Sequence, residues 1–203
     1  MTVDVMIRKN ILWSGENPII LLKDSPEAKE TTAVGFFRVD YSPAGSGHAV
    51  FVISDDLKVN NKKVFHCIAD NAEIGAWIRN NTICQLPEFL NFDLSNIPII
   101  SGRFSSMGNT NNEWSEYVSS DLGELRLTWS DLQTPFHLTV PVGAAETIKH
   151  EIQTCLYPAR KADVVLNGIK AKGSAQPDKI PAGSGGNVSH STAFLALSEV
   201  WYI

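Results

Sequence analysis

Along much of this chain apolar and polar residues alternate with a period of two, the pattern of half-buried β-strands. The stretch 124–129 is the cleanest case, with Leu125, Leu127 and Trp129 on one face and Glu124, Arg126 and Thr128 on the other. Phe136, Leu138 and Val140 repeat the pattern over 136–140. The β-rich runs 33–39 and 48–53 are separated by a connector containing Pro43, Gly45 and Gly47, which predicts a hairpin with a long loop. Further strands are expected at 62–68, 99–106, 113–119, 147–157 and, after a turn at Pro158, 164–171. In 147–157 the inward set reads Ile148, His150, Ile152, Thr154 and Leu156. The final run, 191–202, is apolar on both faces, so both faces need cover and the strand belongs away from an exposed edge.

One segment breaks the period of two. Asp70-Asn71-Ala72-Glu73 fits a capping box with Asp70 as N-cap, and Ile74, Trp77 and Ile78 follow at helical spacing. This predicts a single short helix near 71–80. The stretch 86–100, with Pro87 and Pro98, fits no regular element. Residues 173–187 hold Pro177, Pro181 and the run Gly183-Ser184-Gly185-Gly186, which predicts a flexible surface loop.

Eight to ten strands with one helix predict a single all-β domain over 1–203, an antiparallel β-barrel with a β-sandwich as the alternative. The antiparallel strands, the long terminal strand and the size of the single domain resemble the lipocalin or calycin class in architecture. The G-x-W signature of lipocalins is missing, and the chain has Leu12-Trp13-Ser14-Gly15 near its first strand. No functional residue is carried over from that resemblance.

Composition narrows the classes. The 203 residues hold 22 acidic and 17 basic side chains, a net charge of −5, which argues against a nucleic-acid partner. No apolar run is long enough for a membrane-spanning helix. The N-terminal residues lack the basic start and apolar stretch of a signal peptide, so a cytoplasmic location is expected. Cys67, Cys84 and Cys155 are too scattered to read as a disulfide framework or a zinc site, and His66 beside Cys67 points to the opposite strand face. The five histidines show no metal-ligand spacing, and no cofactor motif is present. Gly45-Ser46-Gly47 leads into a strand rather than a helix, unlike a phosphate-binding loop.

Candidate chemistry comes from polar residues on apolar strands. Under strict alternation Glu199 shares a face with Ala193, Leu195, Leu197 and Trp201, where an ionised carboxylate is costly unless paired. Either that face meets solvent, or Glu199 points into the barrel and is paired with Arg103 or His150, or protonated. His150 lies on an otherwise apolar face, and Arg103 on a polar one with Ser101 and Ser105. Phe37, Trp114, Trp129 and Trp201 are candidate cavity walls or plain core. The leading expectation is a binding protein for a small, largely apolar ligand held in a barrel cavity. The alternative is a cofactor-free isomerase or lyase with Glu199 or His150 as acid–base group and Arg103 as anion clamp. A protein-interaction module is a third reading, and the oligomeric state, a homodimer included, stays open.

Overall fold

Strand pairing closes the sheet into a ring. The computed structural model describes residues 10–182 and 186–203. In chain order the elements are β1 (Ile11–Glu16), β2 (Ile19–Lys23), β3 (Glu30–Tyr41), β4 (Gly47–Val59) and β5 (Lys62–Ala69), then α1 (Ala72–Asn81) and two short 3-10 turns, Ile83–Gln85 and Pro87–Phe89. There follow β6 (Ile99–Asn109), β7 (Glu113–Ser120), β8 (Gly123–Leu132), β9 (Phe136–Val140), β10 (Glu151–Leu166), β11 (Ile169–Lys170), β12 (Pro177–Ala182), β13 (Gly186–Ser191) and β14 (Ala193–Tyr202). β1 and β2 run end to end between β3 and β14, broken only at Asn17-Pro18. β8 and β9 likewise run end to end along one edge of β10. The result is an all-β fold, a closed nine-stranded barrel with one short helix.

The ring is not wholly antiparallel. β5 pairs parallel with β6, Cys67 opposite Ile99 and Ala69 opposite Ser101. A parallel pair needs a crossover between its strands, and here the crossover is α1 with the two 3-10 turns. This mixed, nine-stranded ring differs from the eight-stranded up-and-down barrel of a lipocalin.

Two apolar cores result. One takes side chains from strands all round the ring, among them Ile20, Phe36, Val50, Ile68, Leu127 and Leu195, and so fills the barrel interior. Within it Trp129, fully buried, donates its indole N–H to the carbonyl of Ile19 at 2.9 Å. The other core lies on the outer face of the wall, where Phe37, Phe51, Phe194 and Trp201 meet Ile74 and Ile78 of α1 and Phe89 of the second 3-10 turn. Gly35 of β3 permits that approach, since a Cβ there would stand 3.2 Å from the Phe89 ring and 3.3 Å from Ile83. β14 is covered on both faces, as its composition requires.

Three local readings change. The helix N-cap is Asn71, whose side chain accepts the N–H of Glu73; Asp70 is instead engaged with His48. Pro158 does not end a strand, because β10 runs straight through it. It sits where one neighbour changes from β9 to β8, and its partner Phe194 lies on the other edge, so the missing N–H costs little. The Pro- and Gly-rich stretch 173–187 contains β12, paired with β13 from Pro177 opposite Ser191 to Ala182 opposite Gly186, while residues 183–185, part of the expected flexible loop, lie outside the described residues.

The most consequential irregularity is in β14. From Leu197 to Val200 it advances three residues while β10 advances two, from Cys155 to Gln153. The extra residue is the exposed Ser198, at φ +60°, a β-bulge. Before it, Ala193, Leu195 and Leu197 point into the barrel; beyond it, Glu199 and Trp201 fall on the outer face with Phe194 and Ala196. Strict alternation therefore places Glu199 on the wrong face. A β-branched side chain at a left-handed φ is strained. Ser198→Gly is expected to keep the stability of the parent to within about 1 kcal/mol, and Ser198→Val to lose about 1–2 kcal/mol, as read by urea unfolding. A valine variant as stable as the parent would contradict the bulge.

Candidate binding pocket

Burial of Glu199 demands explanation first. Its residue is only 4% exposed. The carboxylate Oε1 accepts the indole N–H of Trp201 at 2.7 Å and the amide Nδ2 of Asn17 at 3.4 Å, and the Thr154 hydroxyl, buried without a hydrogen-bond partner among the described residues, stands nearby. Asn17 reaches it from the break between β1 and β2, Thr154 from β10, and Trp201 from two residues along the same strand.

These groups form one end of a cavity of about 250 Å³. Its floor is the outer wall of the barrel, with Ile19, Ile152, Leu156 and Phe194. Its roof is Leu86, Pro87 and Glu88 from the crossover, Leu138 and Val140 of β9, and Ala144, Ala145 and Ile148 from the loop after β9. The two halves of the roof are tied together at Gln85. Its carbonyl accepts from the Thr147 hydroxyl at 2.8 Å, and its Oε1 accepts from the Lys149 N–H at 3.1 Å.

Glu88 is the second carboxyl of this cavity. Its Oε2 is buried and has no hydrogen-bond partner among the described residues. Burial pushes both carboxyls up, opposed only by local hydrogen bonds. Glu199 is pushed up to about 7, with the nearby Glu88 adding to the rise. Glu88 is raised in the same direction, with Asp178 and Glu30 adding to it. No lysine, arginine or histidine is among the described residues lining the cavity.

The other residues singled out by sequence lie elsewhere. Trp201 touches Glu199, but His150 does not: its Nδ1 lies 3.2 Å from the Tyr202 carbonyl and its ring 6.1 Å from that of Trp201, outside the cavity lining. Arg103 is exposed on β6 beside Ser105, Tyr117 and Glu124, on the solvent side of the ring. Trp129 belongs to the barrel interior. Phe37 packs on Trp13 and Phe51 in the outer core, in edge-on contacts with centroids 6.1 Å apart. Trp114 donates its indole N–H to Glu116 at 2.8 Å. The structure thus unites Glu199 and Trp201 with Asn17, Glu88 and Thr154, and disperses the rest.

A second polar cluster escaped the sequence reading. The fully buried Glu116 of β7 accepts from Arg38 of β3 at 2.8 Å, and Arg38 also pairs with Glu16. The Arg38 Nε lies 3.3 Å from His48 Nε2, and His48 Nδ1 lies 2.7 Å from an Asp70 oxygen, with Phe104 stacked on the imidazole. Burial raises the Glu116 carboxyl, with Trp114 and Arg38 opposing. A signal was available in the alternation itself, since Arg38 follows Val34 and Phe36 on one face, and Glu116 stands between Trp114 and Val118.

No protein-family model matches the chain, and no curated protein is a match. Among solved structures, an acetoacetate decarboxylase-like enzyme from Sphingomonas wittichii RW1 is similar with a TM-score of 0.40 at 10% identity, over 100% of this chain and 94% of that one.

The raised Glu199 carboxyl has a sign that can be checked. Below pH 4.5 the group is protonated folded and unfolded alike, and it costs nothing. Between 4.5 and about 7 the unfolded chain releases the proton while the folded one keeps it, so stability falls as pH rises; above about 7 the penalty is complete. Glu199→Gln removes this dependence. Relative to the variant, the parent is expected to lose on the order of 3 kcal/mol between pH 4.5 and 8 in urea unfolding. A pH-independent difference would show the carboxyl is not buried as described.

Proposed function

We propose that this protein binds a small, largely apolar molecule in the cavity between the barrel wall and its crossover roof. The observation that carries this reading is a half-open, mostly apolar pocket whose polar lining residues are Glu199, Glu88, Asn17 and Thr154. Binding sites commonly combine apolar walls with a few convergent polar groups that set orientation. At about 250 Å³ the space exceeds the ~150 Å³ of a cavity that admits benzene. A ligand with one ring and a short side chain fits it, its hydrocarbon against Leu138, Ile152 and Phe194, and its polar group toward Glu199.

A second reading, a cofactor-free acid–base enzyme, is favoured by one observation: the Glu199 carboxyl, pushed up to about 7, can give or take a proton near neutral pH. His150 and Arg103 have no part in it. Glu199→Gln tests this second reading, since it abolishes turnover in an enzyme, whereas a pure binder has no turnover to lose.

Native mass spectrometry of freshly purified protein, compared with the denatured sample, tests the binding reading. A small molecule present only in the native spectrum is expected, and Ala145→Trp, which sets an indole across the cavity, is expected to lose it. Retention unchanged in that variant would place the ligand elsewhere, and a bare native spectrum would count against a tightly held ligand.

A further inference from the structure

Resting on the reading of the cavity as a small-molecule site, we propose that its ligand carries a protonated primary amine, a small hydrophobic ammonium ion rather than a neutral or acidic molecule. The argument is an inventory of hydrogen-bond capacity at the polar end. Two of the donors there are already spent, since Trp201 Nε1 and Asn17 Nδ2 both serve Glu199, while the Thr154 hydroxyl is buried without a partner among the described residues. Using its Nδ2 in this way leaves Asn17 with a carbonyl oxygen, Oδ1, that is buried and has no partner among the described residues. Asn17 as a whole is only 2% exposed. Glu88 Oε2, lining the same cavity, is in the same position.

What the protein leaves unmet is therefore two acceptors, Asn17 Oδ1 and Glu88 Oε2, and the Thr154 hydroxyl, which can accept as well as donate. Leaving buried acceptors unsatisfied is costly, and two carboxyls with no cation in the described lining compound that cost. A ketone, an ether or a carboxylate would bring further acceptors to them. A hydroxyl brings one donor. An ammonium group brings three N–H donors and the compensating charge, and charge-assisted bonds are about twice as strong as neutral ones. The remainder of the cavity offers aliphatic and aromatic walls with no polar side chain to satisfy, so the remainder of the ligand is hydrocarbon.

Three probes of similar size test this: phenethylamine, 2-phenylethanol and phenylacetate, titrated into the full-length protein near neutral pH by calorimetry or ligand-observed NMR. The amine is expected to bind at least about tenfold tighter than the alcohol, and the phenylacetate most weakly. Glu88→Gln and Glu199→Gln are each expected to reduce that preference by about tenfold while leaving the alcohol within about twofold. The comparison of the three probes on the parent protein needs no variant. Glu88 is half-buried on the second 3-10 turn of the crossover rather than in the barrel wall, so its variant serves if Glu199→Gln fails to fold. Alcohol or acid binding as tightly as the amine would overturn the amine preference and leave the cavity reading standing. Amine binding untouched by both substitutions would overturn it as well. Failure of all three probes to bind would overturn both.

Discussion

One parallel strand pair shapes the rest of this molecule. Every other pairing described in the ring is antiparallel, several of them simple hairpins, but β5 and β6 run in the same direction. The chain must therefore travel back along the barrel before β6 can begin. It does so on the outside, as α1 and two 3-10 turns, and apolar residues along that path bury themselves against the outer face of the wall. A wall that in a simple meander would face water on its outer side thus acquires a second core there. The cavity exists because the roof, held at Gln85 against the loop after β9, spans this face without filling it completely.

The two cores divide the work. The interior of the ring is occupied by side chains such as Phe36, Leu127 and Trp129, as a barrel of this strand number allows. Polar groups are admitted to both layers: Arg38 and Glu116 pair on the side of Val34 and Phe36, and in the outer layer Glu199 is reached by Trp201 from its own strand and by Asn17 from the break between β1 and β2. Trp201 is central to that arrangement: its ring packs with Trp13 at 5.9 Å, and its N–H meets the carboxylate. One side chain therefore contributes apolar area to the outer core and hydrogen bonding to the polar end of the cavity.

Much of the fold was legible in the sequence, because it rests on alternation and composition. The barrel, its strand count and the helix follow from the period of two and its single interruption. The parallel step was not legible, since strand direction leaves no mark on a periodic pattern. Pro158 read as a turn because a lone proline cannot show that the edge it faces is changing partner. Glu199 could be picked out as a carboxylate on an apolar strand, yet its surroundings could not. Its neighbours Asn17, Glu88 and Thr154 come from a strand break, an irregular crossover and a distant strand, and no local pattern links them. His150 and Arg103 were grouped with it by type alone, and geometry separates them.

Ser198 ties these points together. Because one inserted residue inverts the alternation downstream of it, the chemistry at the end of β14 depends on how many residues precede Glu199, and not only on which they are. Substitutions along this strand change what each compartment contains. A one-residue insertion or deletion changes which compartment each residue belongs to. Among descendants of such a barrel, length variation at this one exposed position is thus a route by which an acidic group could pass from the outer layer to the interior, or back, with the rest of the sequence unaltered.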